Sequence, residues 1–276
     1  MTDPHMILTA ASQARVYGAL KGGNSAKDAL PGDRDAVERL RQLAPSLGEA
    51  VAANRRFALK AAEWLAGPDC DIDQILDLGS GTLDITDPLH RAVHAARPGA
   101  RVVYVDNDPQ VAAHGRAMTT FTGSPLAMVE ADARRPQEVL LGVRETQQID
   151  LERPVALFMA ALVHFWSPDD DPVGVIAAYL EALADGSYLV LSHACGDRMS
   201  PDQLDKLVKA YTEAVGPIYP RTAPQIADLL GRVDLVEPGL AEVSEWWPDP
   251  SETGYPHDDV GQAVFLGAIG KVRSRT

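Results

Sequence analysis

Apolar and polar residues follow two rhythms along this chain. Before residue 70 the hydrophobic positions recur every three to four residues, which predicts helices over 34–43, punctuated by Pro45, and over 47–65, closed by Gly67-Pro68. After residue 70 short unbroken apolar runs take over, at 72–78, 101–106, 126–131, 154–160 and 188–193. Runs of that length read as strands buried on both faces. Helical periodicity returns between them: Asp87-Pro88 opens a helix with Leu89, Val93 and Ala96 on one face. Ser200-Pro201-Asp202-Gln203 and Thr222-Ala223-Pro224-Gln225 are capping boxes that open later helices. Further strands are expected near 233–236 and 263–269. Strands alternating with helices predict an α/β fold with a mostly parallel sheet covered on both faces. Residues 1–70 then form an N-terminal helical cap on a domain spanning 71–276.

The first strand ends in Asp77-Leu78-Gly79-Ser80-Gly81. Glycines at alternate positions let the backbone turn sharply and a ligand approach the peptide groups closely. A dinucleotide fingerprint would place a third glycine three residues on, beneath the pyrophosphate. This chain has Asp84 there, with Asp77 before the turn and Asp87 after it. Carboxylates in a partly desolvated cleft repel a pyrophosphate and attract a cation. S-adenosylmethionine, with its sulfonium and ammonium, therefore suits the turn better than NAD.

Two more strand tips carry acids. Asp106 ends the second strand, 25 residues beyond Gly81, where a carboxylate accepts from both ribose hydroxyls of any adenosine. Asp108 and Pro109 read as the N-cap and first position of the next helix. Asp132-Ala133 follows the third strand. There the acid can accept from an adenine amino group while a neighbouring backbone N–H donates to the ring, or else it caps the helix after Arg135-Pro136.

Composition narrows the partners. At 276 residues the chain can bury a full α/β core. A net charge of -14 and the lack of a basic run argue against nucleic acid. The apolar runs are too short to span a bilayer, and the N-terminal residues carry no charged-then-apolar leader, so a cytoplasmic protein is expected. Cys70 and Cys195 offer neither a disulfide framework nor a metal spacing. Asp169-Asp170-Asp171 reads as a helix start rather than a metal site, and His257-Asp258-Asp259 has no ligand spacing to support one.

These residues resemble the class I S-adenosylmethionine-dependent methyltransferases, and more narrowly a bacterial S-adenosylmethionine-dependent methyltransferase-like family. The narrower likeness rests on Ala14-Arg15-Val16-Tyr17 with Gly22-Gly23, Asp33-Arg34, Ala53-Asn54-Arg55-Arg56-Phe57 and Val103-Tyr104-Val105-Asp106-Asn107-Asp108-Pro109, extended by Leu235-Val236-Glu237-Pro238-Gly239-Leu240. The chain departs from that pattern at Gly18-Ala19-Leu20-Lys21 and Thr82-Leu83-Asp84. The resemblance implies a Rossmann-like seven-stranded sheet with one antiparallel strand, the last two strands forming a reversed hairpin.

It also implies a cofactor site drawing on Asp77, Gly79, Ser80, Gly81, Asp106, Asn107, Asp132, Ala133 and Ala160, closed over by Arg15, Tyr17, Gly22 and Gly23 of the cap. Arg15 suits the methionine carboxylate, or else lies on a solvated helix face; Gly22-Gly23 is a hinge or a helix terminator. His164, after the fourth strand, is the candidate catalytic base, with a wall or structural role as alternatives, and His193 is a weaker candidate. Trp246 and Trp247 form an acceptor wall or pack their own loop to the body. The expected activity is methyl transfer to a small-molecule acceptor. Cofactor binding without turnover and a nicotinamide-dependent reductase are the alternatives. The sequence permits a homodimer without specifying one.

Overall fold

A computed structural model describes residues 11–83, 88–121, 125–247 and 262–273. Among the described residues three α-helices come first: α1 (Gln13–Lys21), α2 (Pro31–Leu43) and α3 (Leu47–Ala66). Strands and helices then alternate: β1 (Gln74–Leu78), α4 (Leu89–Ala96), β2 (Arg101–Asp106), α5 (Pro109–Phe121), β3 (Leu126–Glu130), α6 (Pro136–Glu145), β4 (Ala156–Ala160), α7 (Pro172–Ala182) and β5 (Tyr188–Cys195). Helices α8 (Pro201–Ala214) and α9 (Ala223–Leu229) lead to β6 (Val233–Leu235), β7 (Ala241–Glu242) and β8 (Val264–Val272).

The strand order is β3-β2-β1-β4-β5-β8-β6. Strands β1 to β5 pair in parallel, and β8 runs antiparallel to both β5 and β6. This is the reversed-hairpin arrangement expected, with one correction. The sheet has eight strands rather than seven, because Ala241 and Glu242 pair with Gly267 and Leu266 of β8.

The pleat sorts the strand residues into two cores. Ile75, Val102, Tyr104, Phe158 and Val190 face α1, α2, α3, α4 and α5. Leu76, Leu78, Val103, Leu157 and Leu189 face α6, α7 and α9. Such solid apolar runs follow from burial on both sides of a parallel sheet. Helix α3 lies close to the sheet because its buried stripe is largely alanine, interrupted by Phe57, whose ring would stand 3.0 Å from a Cβ added at Gly267 of β8.

Local signals hold where they are strongest. Ser200 and Thr222 both form their capping boxes. Asp171 caps α7 by accepting from the Gly174 amide at 3.1 Å. The Trp246 indole N–H donates to the Gly267 carbonyl at 3.0 Å, and its ring meets Phe57 edge-on at 5.6 Å. Those contacts fix this end of its loop to the body. Asp84, Asp87 and the segment containing His257-Asp258-Asp259 lie outside the described residues.

Candidate active site

Chain order reverses between β1 and β4, since β1 leads outward through β2 to β3 before the chain returns on the other side. A crevice forms at the carboxyl ends of the strands at such a switch point. The chain leaves β1 through Gly79 and Gly81, at φ 68° and 63°. Gly79 also has no room for a side chain, since a Cβ would come within 2.6 Å of Leu162. The Gly79 and Ser80 amides donate to the Val105 carbonyl at 2.8 and 3.1 Å, which holds the turn against the tip of β2.

Asp106 stands at that tip. It accepts from the Gly81 amide through Oδ2 and from the Asp108 amide through Oδ1, each at 2.9 Å. A carboxylate has about four lone-pair sites, so these two bonds leave it able to accept from a hydroxyl as well. Burial raises its carboxyl above the usual range, opposed by those amide hydrogen bonds. Asp108 accepts from the Gln110 amide at 2.8 Å, the N-cap contact expected of it, and from the Ser12 hydroxyl at 3.1 Å.

Asp77 is 7% exposed on β1, and burial pushes its carboxyl up to about 7; the Arg55 charge opposes that rise and Asp106 adds to it. Asp132 is buried enough to be pushed up, yet its carboxyl is held below the usual range by Arg134. The Arg134 guanidinium reaches Asp132 at 2.7 Å and Asp170 at 3.2 Å. Asp132 does not cap α6, whose N-cap is Arg135; it binds the Arg134 amide instead.

A cavity of about 920 Å³ spans these strand tips. Asp77, Gly79, Ser80, Gly81, Asp106 and Asn107 line it, with Asp132, Ala133 and Ala160 from β3 and β4 and Arg15 and Tyr17 from α1. Arg15 lies in the wall, but its Nε donates to the fully buried Asp33 at 2.7 Å and its Nη1 to Gln110 at 2.8 Å. That guanidinium joins α1 to the starts of α2 and α5, so it is not on a solvated face.

Gly22, Gly23 and His164 lie outside this wall. Gly22 and Gly23, at φ 83° and 68°, terminate α1, and the Gly22 amide closes the last turn on Gly18. His164 sits on a 3₁₀ turn, Val163–Phe165, and is 3% exposed. Its Nδ1 accepts from the Ala194 amide at 3.4 Å, which leaves the ring proton on Nε2. Burial, with His193 and Arg221 adding to it, holds its pKa well below the usual histidine value. An imidazole in that state donates a hydrogen bond rather than taking up a proton, and the role of general base does not suit it. His193 is engaged too: its Nε2 lies 2.8 Å from Arg221, whose guanidinium also donates to the Val163 and Trp166 carbonyls.

Three residues of the wall carry chemistry to which the sequence analysis gave no site role: Asn54, Arg55 and Arg134. Asn54 is fully buried and donates from Nδ2 to the Tyr17 hydroxyl at 2.8 Å, while its Oδ1 accepts from none of the described residues. Its signal was an amide on the same helical stripe as Ala50, Ala58 and Ala61. Among the described residues no group of three metal-ligating side chains occurs, and no helix is long and apolar enough to cross a membrane.

Comparison with known proteins places the chain. The profile of a family described as S-adenosyl methyltransferase matches residues 3–273. A candidate methyltransferase of known structure from Thermobifida fusca YX is 34% identical, with 98% of each chain covered and a TM-score of 0.86. A DUF574-family protein from Streptomyces avermitilis MA-4680 is 32% identical, with 96% of this chain and 99% of that one covered and a TM-score of 0.86. No curated protein matches the chain.

Proposed function

Because the chain belongs to the S-adenosyl methyltransferase family, we propose that the cavity at the β1/β4 switch point holds S-adenosylmethionine and opens its methyl group to a small-molecule acceptor. The cofactor supplies an electrophilic methyl on a sulfonium. What the protein supplies is position, since methyl transfer depends mainly on aligning the acceptor with that carbon.

Asp77 is the observation that carries the reading. A carboxylate buried beside a glycine turn is costly to ionise unless a cation comes to it. The methionine ammonium is such a cation. It brings three N–H donors, for which Asp77 and the Asn54 Oδ1 are acceptors in the same wall. Arg55 supplies the opposite charge and takes over the carboxylate role first expected of Arg15, whose guanidinium serves Asp33. Asp106 offers its remaining accepting capacity to the ribose, and Asp132 with Ala133 faces the adenine. In this reading the described part of segment 1–70 is a cap, with α1 contributing Tyr17 and α3 contributing Asn54 and Arg55.

The acceptor is a small molecule, uncharged or cationic, because the chain carries a net charge of -14. Titration calorimetry with S-adenosylhomocysteine and with NAD tests the cofactor assignment: the first binds and the second does not. Binding of NAD with no response to S-adenosylhomocysteine refutes it. Release of S-adenosylhomocysteine across a library of neutral, cationic and anionic acceptors tests turnover, and a response confined to anions refutes the acceptor class.

A further inference from the structure

Behind the cofactor cavity lies a second, smaller one of about 70 Å³, room for roughly five waters or one small ring. Tyr17 and Phe165 line both cavities, so the two border each other there. Each ring is held: the Tyr17 hydroxyl by Asn54, and Phe165 by stacking on Tyr211 at 6.1 Å and by His164 edge-on at 4.3 Å. The remaining wall is apolar, built from Val51, Leu207, Val208 and Phe265 with their neighbours.

Its few polar groups are all neutral near pH 7. His164 is kept unprotonated by burial, the Tyr211 phenol is pushed far up by burial, and burial raises the Cys195 thiol to about 11. A charged occupant would lose its hydration and find no counter-charge here, a cost of several kcal/mol. A neutral one gains by covering apolar walls and meets only neutral polar side chains, His164 and Tyr211 among them.

Resting on the methyl-transfer reading above, we propose that this cavity is the acceptor's subsite and that it takes an uncharged, largely apolar molecule the size of a single ring. The shared Tyr17–Phe165 border is then where acceptor and cofactor meet. The proposal narrows the acceptor from uncharged or cationic to uncharged, and it makes His164 a wall residue of the acceptor's subsite.

The test uses the full chain saturated with S-adenosylhomocysteine and follows 4-methylphenol by ligand-observed NMR, with 4-methylbenzoate and 4-methylbenzylamine as charged analogues. The neutral phenol is expected to bind, and each charged analogue to bind at least about tenfold more weakly. Val208→Phe, which adds a ring to the cavity wall, is expected to weaken the phenol at least about tenfold while leaving S-adenosylhomocysteine affinity within about twofold. Leu207→Trp fills the same space from the adjacent position and serves if Val208→Phe does not fold. Phenol binding that survives the filling variant, that is abolished by saturating S-adenosylhomocysteine, or that is matched by a charged analogue overturns the subsite. Failure of S-adenosylhomocysteine to bind the wild type overturns the cofactor reading instead.

Discussion

With Asp77 as the proposed partner of the ammonium, cofactor affinity and protein stability are expected to respond to pH in opposite directions. Its carboxyl titrates near 7 because burial outweighs the Arg55 charge. An ammonium binds the ionised form, so protons compete with the cofactor. With that midpoint the ionised fraction falls from about three quarters at pH 7.5 to about 3% at pH 5.5, a loss of about 25-fold in affinity or about 2 kcal/mol. Folding shows the converse. A carboxyl raised from its unfolded value contributes stability that is complete below about pH 4 and is lost as pH rises toward 7, about 4 kcal/mol in all. Asp77→Asn removes both effects. Calorimetric titration of S-adenosylhomocysteine from pH 5.5 to 7.5, beside urea unfolding of the unliganded protein over the same range, measures them. The wild type is expected to bind more tightly as pH rises, and the asparagine variant to bind weakly with little pH dependence. The variant is expected to be the more stable of the two at pH 7.5, with the gap closing toward pH 4. Wild-type affinity flat within about twofold, or a variant that keeps the full slope, refutes the reasoning.

Asp106→Ala would remove the two charge-assisted hydrogen bonds proposed to the ribose, each worth about 1.5–3 kcal/mol, and is expected to weaken S-adenosylhomocysteine by about 100-fold or more; unchanged affinity in calorimetry dismisses the ribose assignment. Asn54→Leu is expected to weaken S-adenosylhomocysteine about tenfold while sparing 5′-methylthioadenosine, which lacks the amino-acid arm. Equal losses for both ligands would make Asn54 structural, as Tyr17→Phe should help to show by removing only its partner. Phe57→Ala opens space between α3, β8 and Trp246 and is expected to cost about 3–5 kcal/mol in urea unfolding, visible also as a shift in tryptophan fluorescence. A loss below about 1 kcal/mol would mean that this contact does not hold α3 to the sheet.

The resemblance read from residues 14–109 is borne out by the family match over 3–273, and the α/β fold by the sheet itself. Both were legible because their causes are local in sequence. A strand covered on both faces must be apolar throughout, a glycine turn needs its positive φ, and Ser200 and Thr222 cap helices through residues three positions away. The two-residue β7 left no such mark, since its pairing depends on where β8 happens to lie.

Side-chain duty was legible only in part, because partners far apart in sequence decide it. Arg15 and Arg55 are alike as residue types, and only the fold sets Arg15 against Asp33 and Arg55 near the charge of Asp77. Asn54 counts as polar in any pattern, but only the packing of α3 on the sheet buries it with an oxygen facing no donor among the described residues. His164 follows the fourth strand as the sequence predicts. The Ala194 amide and the surrounding apolar wall then set its proton and turn it from a candidate base into a neutral donor. Composition and spacing determined which strands exist and which acids stand at their tips. The depth at which each acid, amide and ring is buried, and the charge it can therefore carry, was decided by contacts that exist only once the chain has folded.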